Sequence, residues 1–597
     1  MKLIGNFFRD NFNNRKKFIF FIIILTVAIF LRLFFLTKGY ILGDEPLYSI
    51  RGLTWLDVLY GSDQVTTYNL IEKDAWWLNL SFHDHPPLVF AIHHIFFSLF
   101  GVSLLVARLP PAIFGIFTVI LSYFIGKKVY NKDFGLLVML VSALNVMMSF
   151  FSRVSLMESI AIFFILLGFY FFLLTLDNKK FLPYFGIVLG LSFLAKYTAF
   201  FALPVYLIIF VFFRRSYFTE KRFYLSTLLA LVVFSPVIIY NFFLYRNVGH
   251  FDLQFSYLLG QDVTYWSSLA GKVLTGNIHQ RFIGIKNYII YLSPFFIFFT
   301  LVGFVYFLCR VKKIVKEPKI LTLFLLTFSF LLSLFLVGSS FRFLVYSVPF
   351  FCFLVAISIF SVINFLKNKN KVSLYIFYFL LGLFFMSELI ISFNANILGV
   401  VNNSIGVGSF IFLDAYKDND YGVDELGNYF KKELFQKRSL IDPHFSNKII
   451  NDRAEKLRLD NYKEEYAGEN ILIIHDGRLH PKTMNWVLAD LTFNHGWPVI
   501  GLGDFIQNWD FISNNSVFRD SDCYFIISTN KTARSRIART DPNLMAIDLY
   551  GKVLQEYGFV PYLVKNDEGE VVFEIYKGII SDFSILGRIV IEKRGVN

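Results

Sequence analysis

Residues 15–36 read RKKFIFFIIILTVAIFLRLFFL: three adjacent cations, then a run from Phe18 to Leu36 in which Arg32 is the only charge. A helix rises about 1.5 Å per residue and the hydrocarbon layer is about 30 Å thick, so roughly 20 apolar residues cross it. The run is too long for the apolar core of a secretory signal peptide and has no small-residue cleavage site, so it reads as a retained span. Outward from it the pattern recurs. Apolar runs at 17–37, 107–126, 134–152, 156–176, 181–197, 199–213, 223–242, 287–308, 319–338, 343–365 and 372–392 predict about 11 transmembrane helices. The chain is 56% hydrophobic and 17% charged, far from the balance of a soluble globular protein.

The charges orient these spans. With the N-terminus inside, the clusters Arg15/Lys16/Lys17, Lys127/Lys128/Lys132, Lys179/Lys180, Arg214/Arg215/Lys221/Arg222, Lys312/Lys313/Lys316 and Lys367/Lys369/Lys371 all fall on the cytoplasmic side. The intervening loops are not basic, which is the positive-inside pattern. The net charge of +13 therefore does not point to nucleic acid: residues 393–597 carry 23 Lys+Arg against 28 Asp+Glu, so the excess belongs to the membrane portion. The expected location is a multi-pass protein of the cell membrane, with residues 38–106, 243–286 and the C-terminal region outside. Within the first outer loop, Pro86–Phe100 is apolar but short and carries His93 and His94, so it reads as a helix lying at the outer surface. A true span there would reverse every later loop.

Two domains are expected: 1–392 in the membrane and 400–597 as a soluble α/β domain. In the latter, Asn470–His475, Pro498–Gly503, Cys523–Ser528 and Val571–Tyr576 read as strands. Asp424–Phe435, Pro481–Phe493 and Leu544–Tyr557 carry helical patterns. Cys309, Cys352 and Cys523 are scattered, with no metal-type spacing and no disulfide framework. His475-Asp476-Gly477 and His480 follow a strand, where α/β domains place ligands, but no glycine-rich phosphate fingerprint accompanies them, and structural punctuation is the favoured reading.

Chemistry-bearing residues cluster near the outer ends of spans. Gly43-Asp44-Glu45-Pro46-Leu47-Tyr48 follows the first span, and His83-Asp84-His85-Pro86-Pro87-Leu88 closes the first loop. Two adjacent carboxylates at a membrane surface are costly to desolvate, so they are either solvated or working. Ala107-Arg108-Leu109-Pro110, Ser152-Arg153 with Met157-Glu158, Ala195-Lys196-Tyr197-Thr198, and Phe341-Arg342-Phe343 with Pro349 follow in order. Together these resemble the GT-C superfamily of membrane glycosyltransferases, above all bacterial relatives of protein O-mannosyltransferases and the lipid A aminoarabinose transferases. The resemblance covers roughly residues 15–392; the C-terminal region matches no motif.

That resemblance implies a GT-C fold, a polyprenyl-phosphate-sugar donor held in the lipid bilayer, and a hydroxyl acceptor whose proton a carboxylate removes. It puts the base at Asp44, with Glu45 beside it to stabilise oxocarbenium-like charge in an inverting displacement. Lys196, Arg342 and Arg153 would hold the departing phosphate, since guanidinium suits bidentate contact and lysine supplies a point charge. The competing readings are snorkelling for Lys196 and a one-turn pairing of Arg153 with Glu158. Asp84 and His85 would hold a divalent metal, which some members of the superfamily use and others do not, or hydrogen-bond the loop or sugar. Arg108 would neutralise nearby acids or anchor a helix end, Arg32 would snorkel or pair with an acid, and His93 and His94 would line the surface helix's polar edge. A transporter or flippase is the alternative function, but such proteins place ionisable groups near the bilayer midplane, and here the acids cluster in outer loops.

Overall fold

The computed structural model describes residues 15–37, 41, 44–55, 82, 84–261, 278–289, 292–337, 341–367, 369–398, 422–441, 465–476, 486–488, 490–502, 505, 509–529 and 547–583. The chain divides into two units, one of residues 1–39 and 82–416, the other of residues 40–81 and 417–597. The expected first outer loop, 38–106, is thus shared between them.

Its helices are α1 (Arg15–Leu33), α2 (Glu45–Thr54, in the second unit), α3 (Leu88–Phe100), α4 (Leu104–Val129), α5 (Lys132–Leu144), α6 (Glu158–Asp177), α7 (Leu182–Ala195), α8 (Leu203–Phe213), α9 (Lys221–Val248), α10 (Pro294–Ile314), α11 (Pro318–Val337), α12 (Val348–Lys367) and α13 (Lys371–Phe393), with shorter turns between. Seven of them, α4, α6, α9, α10, α11, α12 and α13, are long and apolar enough to cross a membrane. Sequence reading expected eleven continuous runs; the difference lies partly in backbone breaks that hydropathy does not register. The run 134–152 breaks at Asn145, whose side chain caps the short helix Val146–Phe151 by accepting from Met148 N. The runs 181–197 and 199–213 become α7, a 3₁₀ turn Tyr197–Ala202, and α8. The 13-residue α3 rises only about 20 Å, too short to cross.

Helix packing in this unit rests on close backbone approach. α7 lies along α9, and a Cβ on Gly186 would meet Ser226 O at 2.0 Å. A Cβ on Gly115 of α4 would meet Ser152 Oγ at 2.1 Å, so this glycine lets the turn before α6 sit on α4. Ser159 Oγ donates to Pro111 O at 2.7 Å at the same contact. At the lysine-rich helix ends, Lys128 and Lys319 both reach Asp177, at 2.6 and 2.8 Å, tying α4, α11 and α6 together.

Two expectations are corrected here. Arg32 neither snorkels nor pairs with an acid: it is buried and donates to Ala28 O, Ala143 O and Ser142 O. The last two carbonyls are left open where α5 ends. His93 is not on a polar edge; it is buried, with Nδ1 at Val89 O and Nε2 3.0 Å from Ser155 Oγ.

In the second unit, α14 (Val423–Glu433) precedes a five-stranded mixed sheet of order β4-β3-β5-β7-β6, where β3 is Ile471–His475, β4 Val499–Gly501, β5 Asp522–Ser528, β6 Tyr562–Lys565 and β7 Val571–Ile579. A small parallel pair, β1 (Lys437–Ser439) and β2 (Ala467–Glu469), stands apart. β3 runs parallel to β4 and β5, while β7 is antiparallel to β5 and β6. Leu472, Ile474, Phe525, Ile527 and Tyr576 pack one apolar core with Phe583. Asp476, just past β3, is buried and accepts from Ser528 N at 2.6 Å and Ser528 Oγ at 3.0 Å, so it joins the ends of β3 and β5.

Candidate active site

The site is built on breaks between helices, where a polar side chain can leave an apolar stretch of sequence. α7 ends at Ala195, and Lys196 adopts an extended backbone (φ −167°, ψ 140°) before the 3₁₀ turn. Its ammonium therefore projects from a helix C-terminus, where the dipole favours a cation. Glu158 is the first residue of α6, where the dipole favours an anion. Arg342 sits in the one-turn helix Phe341–Leu344.

These three meet on one oxygen. Lys196 Nζ donates to Glu158 Oε1 at 2.9 Å, and Arg342 reaches the same atom through Nε at 3.0 Å and Nη2 at 2.9 Å. Glu158 is wholly buried and its Oε2 has no hydrogen-bond partner among the described residues. Lys196 Nζ also lies over the rings of Tyr346 and Phe343, 5.2 and 5.7 Å from their centroids. Two cations thus share one carboxylate oxygen. Glu158 thus takes Lys196 and Arg342 rather than Arg153.

Arg153 reaches backbone carbonyls. Its guanidinium donates to Leu31 O, Phe34 O and Phe35 O at 2.8–3.0 Å, catching the carbonyls at the end of α1. Arg108, also buried, donates to Leu36 O at 3.1 Å in the same segment. Both anchor the stretch of chain that leads towards Asp44.

Next to Lys196, Tyr197 opens a second polar group that sequence reading missed. Tyr197 Oη donates to Asp252 Oδ2 at 2.7 Å, and Asn241 Nδ2 donates to the same oxygen at 3.0 Å. Asp252 Oδ1 accepts from Phe255 N at 2.9 Å, capping the turn Leu253–Leu258. Burial raises the Asp252 carboxyl to about 6, against the pull of its three donors, and the nearby Asp84 carboxylate adds repulsion. Only spatial proximity reveals this cluster: Asp252 is 55 residues from Tyr197. Asp84 and His85 are both buried and bonded to each other, His85 Nδ1 to Asp84 Oδ1 at 2.8 Å. Among the described residues no three His, Cys, Asp or Glu side chains gather as a metal site. His83 lies outside the described residues.

Asp44 and Glu45 belong to the second unit. Asp44 is the N-cap residue of α2 and Glu45 its first residue, with Pro46 in the first turn. Glu45 is buried, as is Arg51 on the same helix.

Comparison with known proteins follows from this geometry. Residues 84–240 match a family model described as dolichyl-phosphate-mannose-protein mannosyltransferase. No curated protein matches the chain. Among solved structures, the chain is similar to ArnT from Cupriavidus metallidurans bound to undecaprenyl phosphate, at 12% identity and a TM-score of 0.50, covering 94% of this chain and 98% of that one. The apo state of the same protein gives 13% and 0.51 over the same shares. The Archaeoglobus fulgidus oligosaccharyltransferase in the apo form is similar at 14% identity and a TM-score of 0.48, covering 94% of this chain and 74% of that one. The chain thus shares the fold of that ArnT structure, and about a quarter of its length, within the membrane portion, matches the mannosyltransferase family model.

Proposed function

We propose that this protein is an inverting glycosyltransferase that moves a sugar from a polyprenyl-phosphate donor to a hydroxyl acceptor at the outer face of the cell membrane. The observation that carries the reading is the group of Lys196, Glu158 and Arg342, which brings two cations onto one carboxylate oxygen at the ends of helices. A polyprenyl-phosphate sugar is a phosphodiester with a single negative charge. When the sugar departs, the phosphate becomes a monoester and takes up a second. Cations fixed in advance bind that developing charge more strongly than the ground state, which is the condition for raising the rate. Arg342 suits bidentate contact with phosphate oxygens and Lys196 supplies a point charge. That a similar fold has been determined with undecaprenyl phosphate supports a donor of this class.

In the reaction, the acceptor oxygen bonds to the anomeric carbon as the carbon–oxygen bond to phosphate breaks. The electron pair stays on the phosphate, and the acceptor proton passes to Asp44. Glu45 stabilises positive charge on the sugar ring, and Asp84 with His85 hydrogen-bonds sugar hydroxyls. The orientation belongs to the same proposal: the lysine clusters put the N-terminus in the cytoplasm and the C-terminal region outside.

The test supplies membranes containing the protein with polyprenyl-phosphate sugar and measures covalent product. Asp44→Asn abolishes transfer at unchanged expression, and Lys196→Ala loses far more than Lys196→Arg. Undiminished transfer by Asp44→Asn removes it as the base; equal activity of the two lysine variants removes the phosphate contact. Uptake into sealed vesicles with no covalent product would make the protein a transporter.

A further inference from the structure

A cavity of about 370 Å³ opens between α4, α5, α10, α11 and α12. It lies at the lysine-rich ends of these helices. Asn364 on its wall is about 24 Å along α12 from Val348, the end nearer Arg342. The walls are largely apolar, with Phe134, Ile314 and Phe360 among them, and the polar lining is Arg310 on α10 with Ser361 and Asn364 on the facing α12, Arg310 and Asn364 being exposed at the surface. Arg310 is held over the ring of Tyr306, 5.2 Å from its centroid. Among the described residues no carboxylate lines the cavity. The acids Asp133, Asp177 and Glu220 already pair with Lys17, with Lys128 and Lys319, and with Lys179.

The positive-inside pattern accounts for lysines in the loops. It does not account for a guanidinium, a hydroxyl and an amide lining one hollow between helices. The volume falls in the range of small-ligand pockets. One cation with two neutral donors suits a phosphate, and the apolar remainder suits the glycerol and first methylenes attached to it. Basic pockets between helices at a cytoplasmic face attract anionic headgroups. We infer that this cavity binds the headgroup of an anionic glycerophospholipid from the cytoplasmic leaflet, with its phosphate on Arg310 and hydrogen bonds from Ser361 and Asn364. The inference rests on the proposed orientation for the leaflet, and not on transferase chemistry.

The test uses the full chain, purified in detergent and stripped of lipid. Phosphatidylglycerol, phosphatidylcholine with the same acyl chains, and inorganic phosphate are added separately. Retention is read by native mass spectrometry and stabilisation by thermal unfolding. Phosphatidylglycerol is retained and stabilises; the other two do neither. Arg310→Gln weakens retention about tenfold, the scale of one charge-assisted hydrogen bond, and Arg310→Lys keeps most of it. Ser361→Trp, which fills the cavity without changing charge, also loses it, and so carries the test should Arg310→Gln not fold. Equal retention of both lipids, an effect of inorganic phosphate alone, or a loss in Lys312→Gln, a site that does not line the cavity, as large as in Arg310→Gln would overturn the inference. Sugar transfer, measured in parallel, fails or survives independently of these outcomes.

Discussion

Replacing Glu158 by Gln tests the central charge group most directly, because it removes one charge and almost no volume. In the native protein Lys196 and Arg342 both lie 2.9 Å from Glu158 Oε1. At an effective dielectric of about 20, each contact is worth about 6 kcal/mol of Coulomb attraction. Most of that is offset by the cost of taking the charges out of water, and breaking a buried pair typically costs about 3–5 kcal/mol because the remaining charges lose their partner. Here two cations, with side chains 9% and 22% exposed, would face each other without a carboxylate between them. Glu158→Gln should therefore lower stability by about 3–5 kcal/mol. Lys196→Met in the same chain removes one of the repelling cations, so the double variant should be less destabilised than the sum of the two single ones, by about 1–3 kcal/mol. Reversible unfolding in a detergent titration gives all four free energies. Strict additivity, or a Glu158→Gln variant as stable as the native protein, would refute the reasoning.

Asp252, raised to about 6 in the folded protein, keeps a proton that the unfolded chain releases near pH 4. Its contribution to stability is thus present at acid pH and is lost as pH rises from about 4 to about 6, by at most about 3 kcal/mol. Unfolding free energies across this window should fall in the native protein and be flatter in Asp252→Asn; parallel curves would contradict it. Gly186→Ala must push a methyl group against Ser226 O and should cost at least about 1–3 kcal/mol, whereas Gly382→Ala, with open space around it, should be neutral or slightly stabilising. Thermal unfolding of the two variants separates them, and equal midpoints would remove the close-approach account of α7 on α9.

Span length and sidedness signals were legible because they depend on composition alone, and the cation at Lys196 stood out because it interrupts an apolar stretch. Its partner was harder to read. Sequence proximity favours Arg153 for Glu158, five residues away, but α6 begins at Glu158, and Arg153 lies in the preceding turn, where it reaches the open carbonyls of α1. Breaks at Asn145 and Lys196 were invisible to hydropathy for a related reason: apolar residues continue through them while the backbone hydrogen bonds do not. The break at Asn145 explains the fate of Arg32 and the end of α1 that of Arg153, since helix ends leave carbonyls that water cannot reach and a buried guanidinium can satisfy. Asp252 carried no signal, being an ordinary helix cap until Tyr197 and Asn241 arrive from elsewhere in the chain.

A structural role alone accounts poorly for the Lys196, Glu158 and Arg342 group. Arg32, Arg108 and Arg153 show a structural use of cations in this protein, each donating to backbone carbonyls at helix ends. Lys196 and Arg342 instead meet on one carboxylate oxygen, and the other oxygen has no partner among the described residues. A buried ion pair is rarely the most stable filling for its volume, and apolar residues could close this space at lower cost. Ionisable groups placed at membrane depth against that cost are the ones expected to meet a charged ligand. A phosphate is a ligand that two such cations fit, and a carboxylate already between them holds the cations in position until it arrives.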